Sequence, residues 1–412
     1  MKYGCIGERL GHSFSKEIHA LIADYEYELC ELTPDSVGAF MTEKSFNAIN
    51  VTIPYKEKVI PYLDSIDEAA KLIGSVNTVV NRGGRLYGYN TDFYGMSRLI
   101  EKCGIDLLKK KVLILGSGGT SKTAYAVAKS IGADPIIRVS RQRRDDAVSY
   151  SDMYESHTDA DVIINTTPVG MYPDIFARSV ELSRFPSLSG YVDAVYNPLR
   201  PTAVLEALER GVSAEGGLYM LVAQAVRASE IFLDATLSDD TLDTAFDKIL
   251  RSKENVVLIG MPSSGKSTVG RLVAEALGRK FVDTDEIIKE LAGTSIPEIF
   301  ATRGEAYFRN LESEAVEIAS KGTSFVIATG GGAVLKWENV KALKRNGRLF
   351  FLDRSPEKLI TTSDRPLSSD RDALIKLYNE RYGIYCSSAD VKIDGNDDAT
   401  SVAKNITEYF KR

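Results

Sequence analysis

The chain is poor in histidine, cysteine and tryptophan: 412 residues include three, four and one of them. His12, His19 and His157 are too few and too scattered to suggest a His-based metal centre. Cys5, Cys30, Cys103 and Cys386 lie far apart with no C-x-x-C, so neither a disulfide framework nor a zinc site organises the fold. Long hydrophobic runs are missing too. No segment approaches the ~20 apolar residues of a membrane span, and Met1 to Leu10 holds no apolar stretch of signal-peptide length. A cytoplasmic chain without a membrane partner is therefore expected. Nor is there an excess of basic charge: 51 Lys and Arg stand against 57 Asp and Glu, net −6, which argues against broad affinity for nucleic acid. Small molecules are the expected partners.

What is there is length and punctuation. At roughly 100 to 200 residues per domain, the chain should hold two or three domains. Its first 100 residues alternate short strands (Tyr3 to Ile6, Tyr25 to Leu29, Ala48 to Val51, Thr78 to Asn81) with helical stretches, Ser15 to Ala23 and Val59 to Ile73. Polar clusters interrupt the pattern where strands end, which is where ligands bind in open α/β sheets.

Lys111-Val-Leu-Ile-Leu115 then reads as a buried strand, followed by Gly116-Ser-Gly-Gly-Thr120 and a helix from about Ser121 to Ile131. Strand, glycine turn and helix together make a dinucleotide-binding turn. The next strand, Pro135 to Val139, runs into Ser140-Arg-Gln-Arg-Arg144. An acidic residue there would bind a ribose 2′-hydroxyl, whereas Arg141, Arg143 and Arg144 suit a 2′-phosphate, so NADP(H) is favoured over NAD(H). Strands Asp161 to Thr167 and Tyr191 to Val195 continue the sheet, an apolar helix opens at Glu215, and another runs from about Ser238 to Leu250.

Past a charged linker, Arg251 to Glu254, the apolar run Val256 to Ile259 leads into Gly260-Met-Pro-Ser-Ser-Gly-Lys-Ser-Thr268. This is a phosphate-binding loop: backbone N–H groups wrap a phosphate, Lys266 reaches the transferable phosphate, and Ser267 can ligate Mg²⁺. Phe281-Val-Asp-Thr-Asp-Glu286 reads as a strand ending in paired carboxylates. Glu305, Arg309 and Glu312 share one helical face, and Phe325 to Gly332 is a strand running into three glycines, where a ligand can approach the backbone closely.

Taken in order, Ser13 and Ser15, NVTIPYK at 50 to 56, SVNT at 75 to 78, YNTD at 89 to 92, GSGGT at 116 to 120, INTTPVGM at 164 to 171, DAVYNP at 193 to 198 and GGLYMLVAQA at 216 to 225 resemble a shikimate dehydrogenase over nearly all of residues 1 to 250. The resemblance implies that Ser13, Ser15, Thr52, Asn77, Asp92, Tyr196 and Gln224 hold the substrate, with Lys56 and Asp92 as the catalytic pair. It puts the cofactor on Gly116, Ser117, Gly118, Gly119, Thr120, Ser140, Arg141 and Gly217. Lys16 stands where relatives usually have proline, and Ser140-Arg-Gln142 where Asn-Arg-Thr is common. The chemistry is consistent with the pair: hydride transfer to a ketone builds charge on oxygen, and an ammonium held by a carboxylate can meet that charge and deliver a proton.

Residues 254 to 412 are similar to shikimate kinase, through the phosphate loop, D-T-D at 283 to 285, F-R-x-x-E at 308 to 312, the three glycines, D-R-P-L at 364 to 367 and R-x-x-x-Y at 381 to 385. This implies ATP on Ser263, Ser264, Gly265, Lys266, Ser267, Thr268 and Arg365, with Lys266 and Arg365 catalytic. Shikimate would lie on Asp285, Arg309, Gly331 and Arg381, and Mg²⁺ on Ser267 and Asp283. A lid arginine often present in such kinases is missing from Ile360 to Arg365.

The expected architecture is α/β throughout. Residues 1–100 form a substrate domain completed by the helices of 217–250, residues 101–216 a Rossmann-like NADP-binding domain, 251–254 the linker and 255–412 a P-loop domain of nucleoside-monophosphate-kinase type. The expected function is NADPH-dependent reduction of 3-dehydroshikimate to shikimate, then ATP-dependent phosphorylation at the 3-hydroxyl. A preference for quinate in the first half, or a protein that senses nucleotides without turnover, are the alternatives.

Overall fold

The computed structural model describes residues 1–11, 13–359 and 371–411, and divides into two compact units, Met1–Leu250 and Arg251–Arg412. Both units are α/β.

The first unit holds two six-stranded sheets. One runs, edge to edge, Tyr27–Glu31, Tyr3–Gly7, Ala48–Val51, Thr78–Arg82, Arg85–Tyr89 and Ser65–Ile66. Its first three strands are parallel, and the tight hairpin Thr78–Arg82 to Arg85–Tyr89 is antiparallel. The other sheet is parallel throughout, in the order Ser213–Glu215, Gly190–Asp193, Val162–Asn165, Val112–Leu115, Ile136–Ser140 and Val148–Ser149. All four residues of Val112–Leu115 are buried, as a strand covered on both faces requires. The helix Leu218–Leu233 packs on Thr91–Lys102 at a distance that only glycine allows: a Cβ on Gly95 would lie 2.7 Å from the Met220 carbonyl oxygen.

The second unit is a five-stranded parallel sheet ordered Lys280–Asp283, Phe325–Ala328, Asn255–Ile259, Gly347–Asp353 and Val391–Asp394. Asn255–Ile259 is buried along its whole length, and Val256 and Leu258 join Val269, Val273, Phe350 and Ile406 in the core. Among the described residues, no helix is long and apolar enough to cross a membrane.

Several local expectations are corrected. Val59 to Ile73 is not one helix: a short 3-10 turn at Ile60–Tyr62 is followed by the strand Ser65–Ile66 and the helix Glu68–Ile73. The cause is local hydrogen bonding. Pro61 has no N–H to give, the Asp64 carboxylate accepts the Leu86 N–H at 2.7 Å, and Asp67 caps a new helix through the Ala70 N–H at 2.9 Å. The second strand starts at Tyr27 rather than Tyr25, whose hydroxyl is bound to His19 Nδ1 and Ser229 Oγ, each at 2.6 Å. The helix expected to end at Leu250 runs from Thr241 to Lys253, so most of the residues read as a linker are helical. Within the second unit their carbonyls are hydrogen-bonded: Arg279 donates to Arg251 and Glu254, and Ser324 to Ser252 and Lys253. Finally, the strand at 280 ends at Asp283, and Asp285 and Glu286 lie in the first turn of the helix Thr284–Ala292.

Candidate active sites

Strand register builds the first site. Asn50 pairs with Thr78 and Thr78 with Tyr89, so residues 51 to 56, 75 to 77 and 90 to 92 all leave the sheet at one end. There Lys56 Nζ meets Asp92 Oδ2 at 2.5 Å. The other Asp92 oxygen accepts from Asn77 Nδ2 at 2.9 Å, and that amide also reaches Gln224 Oε1 at 3.1 Å and Thr91 Oγ1 at 3.0 Å. The Asp92 side chain is 5% exposed and that of Lys56 18%, so the ammonium opens to solvent while its counter-ion does not. Asn90 caps the helix Thr91–Lys102 through the Phe93 N–H, which places Asp92 in the first helical turn, where backbone amides favour a carboxylate.

The other residues expected to hold the substrate fall in two further groups. Ser13 and Ser15 hydrogen-bond each other at 3.0 Å, and Phe14 between them packs edge-on against Tyr196 at 5.3 Å. Burial, and then the nearby Cys5 thiol, raise the Tyr196 phenol. Cys5 is itself pushed up to about 12 by burial, which the Lys56 charge partly offsets. Thr52 follows the strand Ala48–Val51, its N–H bound to the Ile6 carbonyl at 3.0 Å.

The glycine turn ends the central strand of the second sheet. Gly116 adopts φ +116°, Gly118 is the N-cap of the helix Gly119–Ile131, and open space lies where a Gly118 Cβ would be. These features make a cradle of backbone N–H groups at a helix N-terminus, suited to a pyrophosphate. Ser117 lies within the turn and Thr120 in the first helical turn. Ser140 is buried at the end of the neighbouring strand, its hydroxyl turned to the Gln142 carbonyl, and Arg141, Arg143 and Arg144 are exposed beyond it. Gly217 donates its N–H to Val195 at 2.8 Å, and any Cβ there would collide with Ala194. Asp193, the last residue of the strand Gly190–Asp193, accepts from Asn165, Tyr191 and the Val195 N–H, and burial pushes its carboxyl up to about 6.

In the second unit, a cavity of about 640 Å³ is lined by the phosphate loop, Asp283, Asp285, Arg309, Glu312, the glycines 330 to 332 and Arg381. Positive φ at Gly260, Ser263 and Gly265 turns the loop. Lys266 Nζ donates to the Gly260 and Met261 carbonyls, at 2.9 and 2.8 Å. Ser264 is buried, with no hydrogen-bond partner for its hydroxyl, and Thr268 lines the cavity. Ser267 Oγ donates to Asp283 Oδ2 at 2.7 Å, which makes a pair of oxygens suited to a hard cation such as Mg²⁺. Asp283 also holds the Asp285 N–H at 3.0 Å.

Arg309 is fixed from two sides, by Glu312 at 2.7 Å and Glu305 at 2.9 Å. Gly332 is glycine because a Cβ would stand 1.9 Å from Arg309 Nη1. Arg381 Nη1 and the Tyr385 hydroxyl both donate to the Gly331 carbonyl, at 3.1 and 2.5 Å. Two motif residues to which the resemblance gives no role also stand here. Glu312, almost fully buried, has its carboxyl raised by burial against the pull of Arg309, and its Oε1 has no hydrogen-bond partner. Tyr385, pushed up to about 12 by burial, stacks on Phe351 at 5.1 Å. The available signal was helical spacing, Glu312 three residues after Arg309 on one helix and Tyr385 four after Arg381 on another. Arg365 lies outside the described residues.

Comparison with known proteins matches parts of the chain to two families. Residues 5–79 match the shikimate dehydrogenase substrate binding domain, and residues 262–411 match shikimate kinase. Shikimate dehydrogenase (NADP(+)) of Clostridium perfringens strain SM101 is 34% identical over 265 residues, covering 60% of this chain and 97% of that protein. A chorismate mutase/shikimate 5-dehydrogenase fusion protein from Clostridium acetobutylicum superposes with TM-score 0.57 at 33% identity, over 60% of this chain and 96% of that one. The Thermus thermophilus shikimate 5-dehydrogenase in complex with NADP(H) and shikimate does so with TM-score 0.55 at 26% identity, over 60% and 99%.

Proposed function

From a chain that belongs to the shikimate dehydrogenase family and continues into a shikimate kinase domain, we infer two successive reactions on one polypeptide. The first unit reduces 3-dehydroshikimate to shikimate, and the second phosphorylates shikimate. NADPH supplies the hydride and ATP, with Mg²⁺, the phosphoryl group. The remaining chemistry belongs to the protein's own residues.

The observation that carries the first assignment is the Lys56–Asp92 pair at 2.5 Å, set within the Asn77–Gln224 hydrogen-bond chain. Lys56 holds a proton at Nζ beside the site and gives it to the carbonyl oxygen as that oxygen gains charge. Asp92 aims the ammonium, Asn77 aims Asp92, and Gln224 presents its remaining donors to a substrate hydroxyl. Ser13, Ser15, Thr52 and Tyr196 receive the carboxylate and the other hydroxyls. Gly116 to Thr120 and Gly217 seat the cofactor, with Ser140 and Arg141 on its 2′-phosphate, which makes it NADP(H).

In the second unit Arg309 and Arg381 grip the shikimate carboxylate in the bidentate way guanidinium favours. The N–H groups around Gly331 and the Asp285 carboxylate hold the hydroxyls, with Asp285 orienting the one that attacks. Ser263, Ser264, Gly265 and Thr268 wrap the nucleotide phosphates, Lys266 neutralises charge on the phosphoryl group in transfer, and Ser267 with Asp283 holds Mg²⁺. Arg365 is assigned to the same charge. The cytoplasm, where NADPH and ATP are both at hand, is the proposed compartment.

Two assays on the intact chain test the proposal: NADPH loss with 3-dehydroshikimate, and ADP release with shikimate and Mg²⁺. Well-folded protein inactive in both would sink it.

A further inference from the structure

We propose that Arg354 is a nucleotide-binding residue of the second unit, a cation built on the rigid sheet that contacts a phosphate of the bound nucleotide. It follows directly on the carboxyl end of the strand Gly347–Asp353, which pairs with the strand feeding the phosphate loop. Its Nη1 lies 3.8 Å from the position a Cβ would take on Gly265, inside that loop. It is thus a guanidinium that flanks the loop from outside the loop's own sequence.

Three observations point to a ligand rather than a structural role. Arg354 makes no hydrogen bond or ion pair among the described residues, and its Nε is shielded from solvent without a partner. A buried donor left unsatisfied is costly, which favours its completion by a bound acceptor. The adjacent carboxylate does not serve: Asp353 is occupied by Lys392 at 2.8 Å, with the Tyr378 and Tyr382 hydroxyls at 3.2 and 3.4 Å. Meanwhile the backbone around Arg354 is stapled in place. The Gly395 N–H donates to the Asp353 carbonyl at 2.9 Å, the Ser355 N–H to Asn396 Oδ1 at 3.0 Å, and Lys358 Nζ to the Asn396 carbonyl at 2.8 Å. A fixed backbone carrying an unspent guanidinium beside a ring of phosphate-binding amides is a preorganised anion contact.

The inference rests on the kinase reading of this unit, which turnover of shikimate and ATP by the unaltered chain tests separately. The experiment compares Arg354→Met and Arg354→Lys with the unaltered protein, measuring ADP and adenosine affinity by calorimetry and KM for ATP and shikimate by ADP release. Arg354→Met should weaken ADP about 10- to 100-fold, as expected for one charge-assisted hydrogen bond. Arg354→Lys should recover part of that loss, while adenosine affinity and the shikimate KM stay within about twofold. Unchanged ADP affinity overturns the proposal. So does an equal loss of adenosine, which would mean stacking on the base, and so does a parallel loss of shikimate, which would mean a structural role. Should Arg354→Met not fold, Arg354→Lys decides alone: native affinity for adenosine with weakened ADP supports the contact, and unchanged ADP refutes it.

Discussion

Replacing Lys56 with methionine separates catalysis from stability in one chain. The ammonium sits 2.5 Å from Asp92 Oδ2, and its removal leaves that oxygen, on a side chain only 5% exposed, without its partner. A buried acceptor deprived of its donor costs about 1–3 kcal/mol. For a unit of this size that lowers the first unit's thermal transition by roughly 2 to 12 °C. The loss of a positioned proton donor should lower kcat for NADPH-dependent reduction by about 10²- to 10⁴-fold. Pairing Lys56→Met with Asp92→Asn removes the stranded charge, so the double variant should regain stability but not activity. The assay is NADPH absorbance with 3-dehydroshikimate, alongside ADP release with shikimate on the same sample; the second reaction should proceed at its native rate, just as Lys266→Ala should silence only the second. A Lys56→Met chain whose kcat stays within a few-fold of native would refute the role given to the ammonium. A double variant that regains activity with stability would show that Lys56 serves the fold alone.

Three other perturbations follow from the geometry. Gly332→Ala puts a methyl group where Arg309 Nη1 stands 1.9 Å away, so the arginine must move; the kinase KM for shikimate should rise at least about tenfold, with the KM for ATP little changed, by initial-rate kinetics. Arg141→Ala should raise the KM for NADPH about tenfold or more and leave that for NADH nearly as it was, so the ratio of the two specificities is the readout. Asp193 has a carboxyl raised by burial to about 6 in the fold against 3.8 when exposed. A raised acid stabilises the fold below about pH 4 and loses that contribution as pH rises through about 6, roughly 3 kcal/mol in all. The stability advantage of the native chain over Asp193→Asn should therefore shrink between pH 4 and 7 in thermal melts, and an advantage that stays constant or grows would contradict the buried-acid account.

Which of these features could be read beforehand depended on their range along the chain. The phosphate loop and the glycine turn were legible because strand, turn and helix are contiguous, and backbone geometry alone demands the glycines. The meeting of Lys56 with Asp92 was legible only through the strings around them, since nothing in a lone lysine distinguishes a buried pair from a wet side chain. Their aiming group was named as a substrate contact, but its grip on Asp92 and on Gln224, 147 residues away, depends on the register of Thr78 with Tyr89 and on the return of the helix Leu218–Leu233. The misread stretch from Val59 to Ile73 failed for the opposite reason. Its apolar spacing is helical, but Asp64 finds a backbone N–H in the hairpin, and a tertiary hydrogen bond outweighed local propensity.

Arg354 joins both cases. A charged residue just past an apolar strand is a visible sign, because the carboxyl ends of parallel strands are where ligands bind. Its sequence neighbour Asp353 would suggest an ordinary ion pair, and only the structure shows that carboxylate engaged by Lys392. Whether a side chain is available for a ligand is thus set by what its neighbours have already bound, a property of packing and not of composition. The same holds for Arg309, aimed by Glu305 and Glu312, and for Arg381, which shares the Gly331 carbonyl with Tyr385. In each, the protein spends part of a guanidinium's five donors on orientation, so the remainder should meet an anion with little rotamer entropy left to lose.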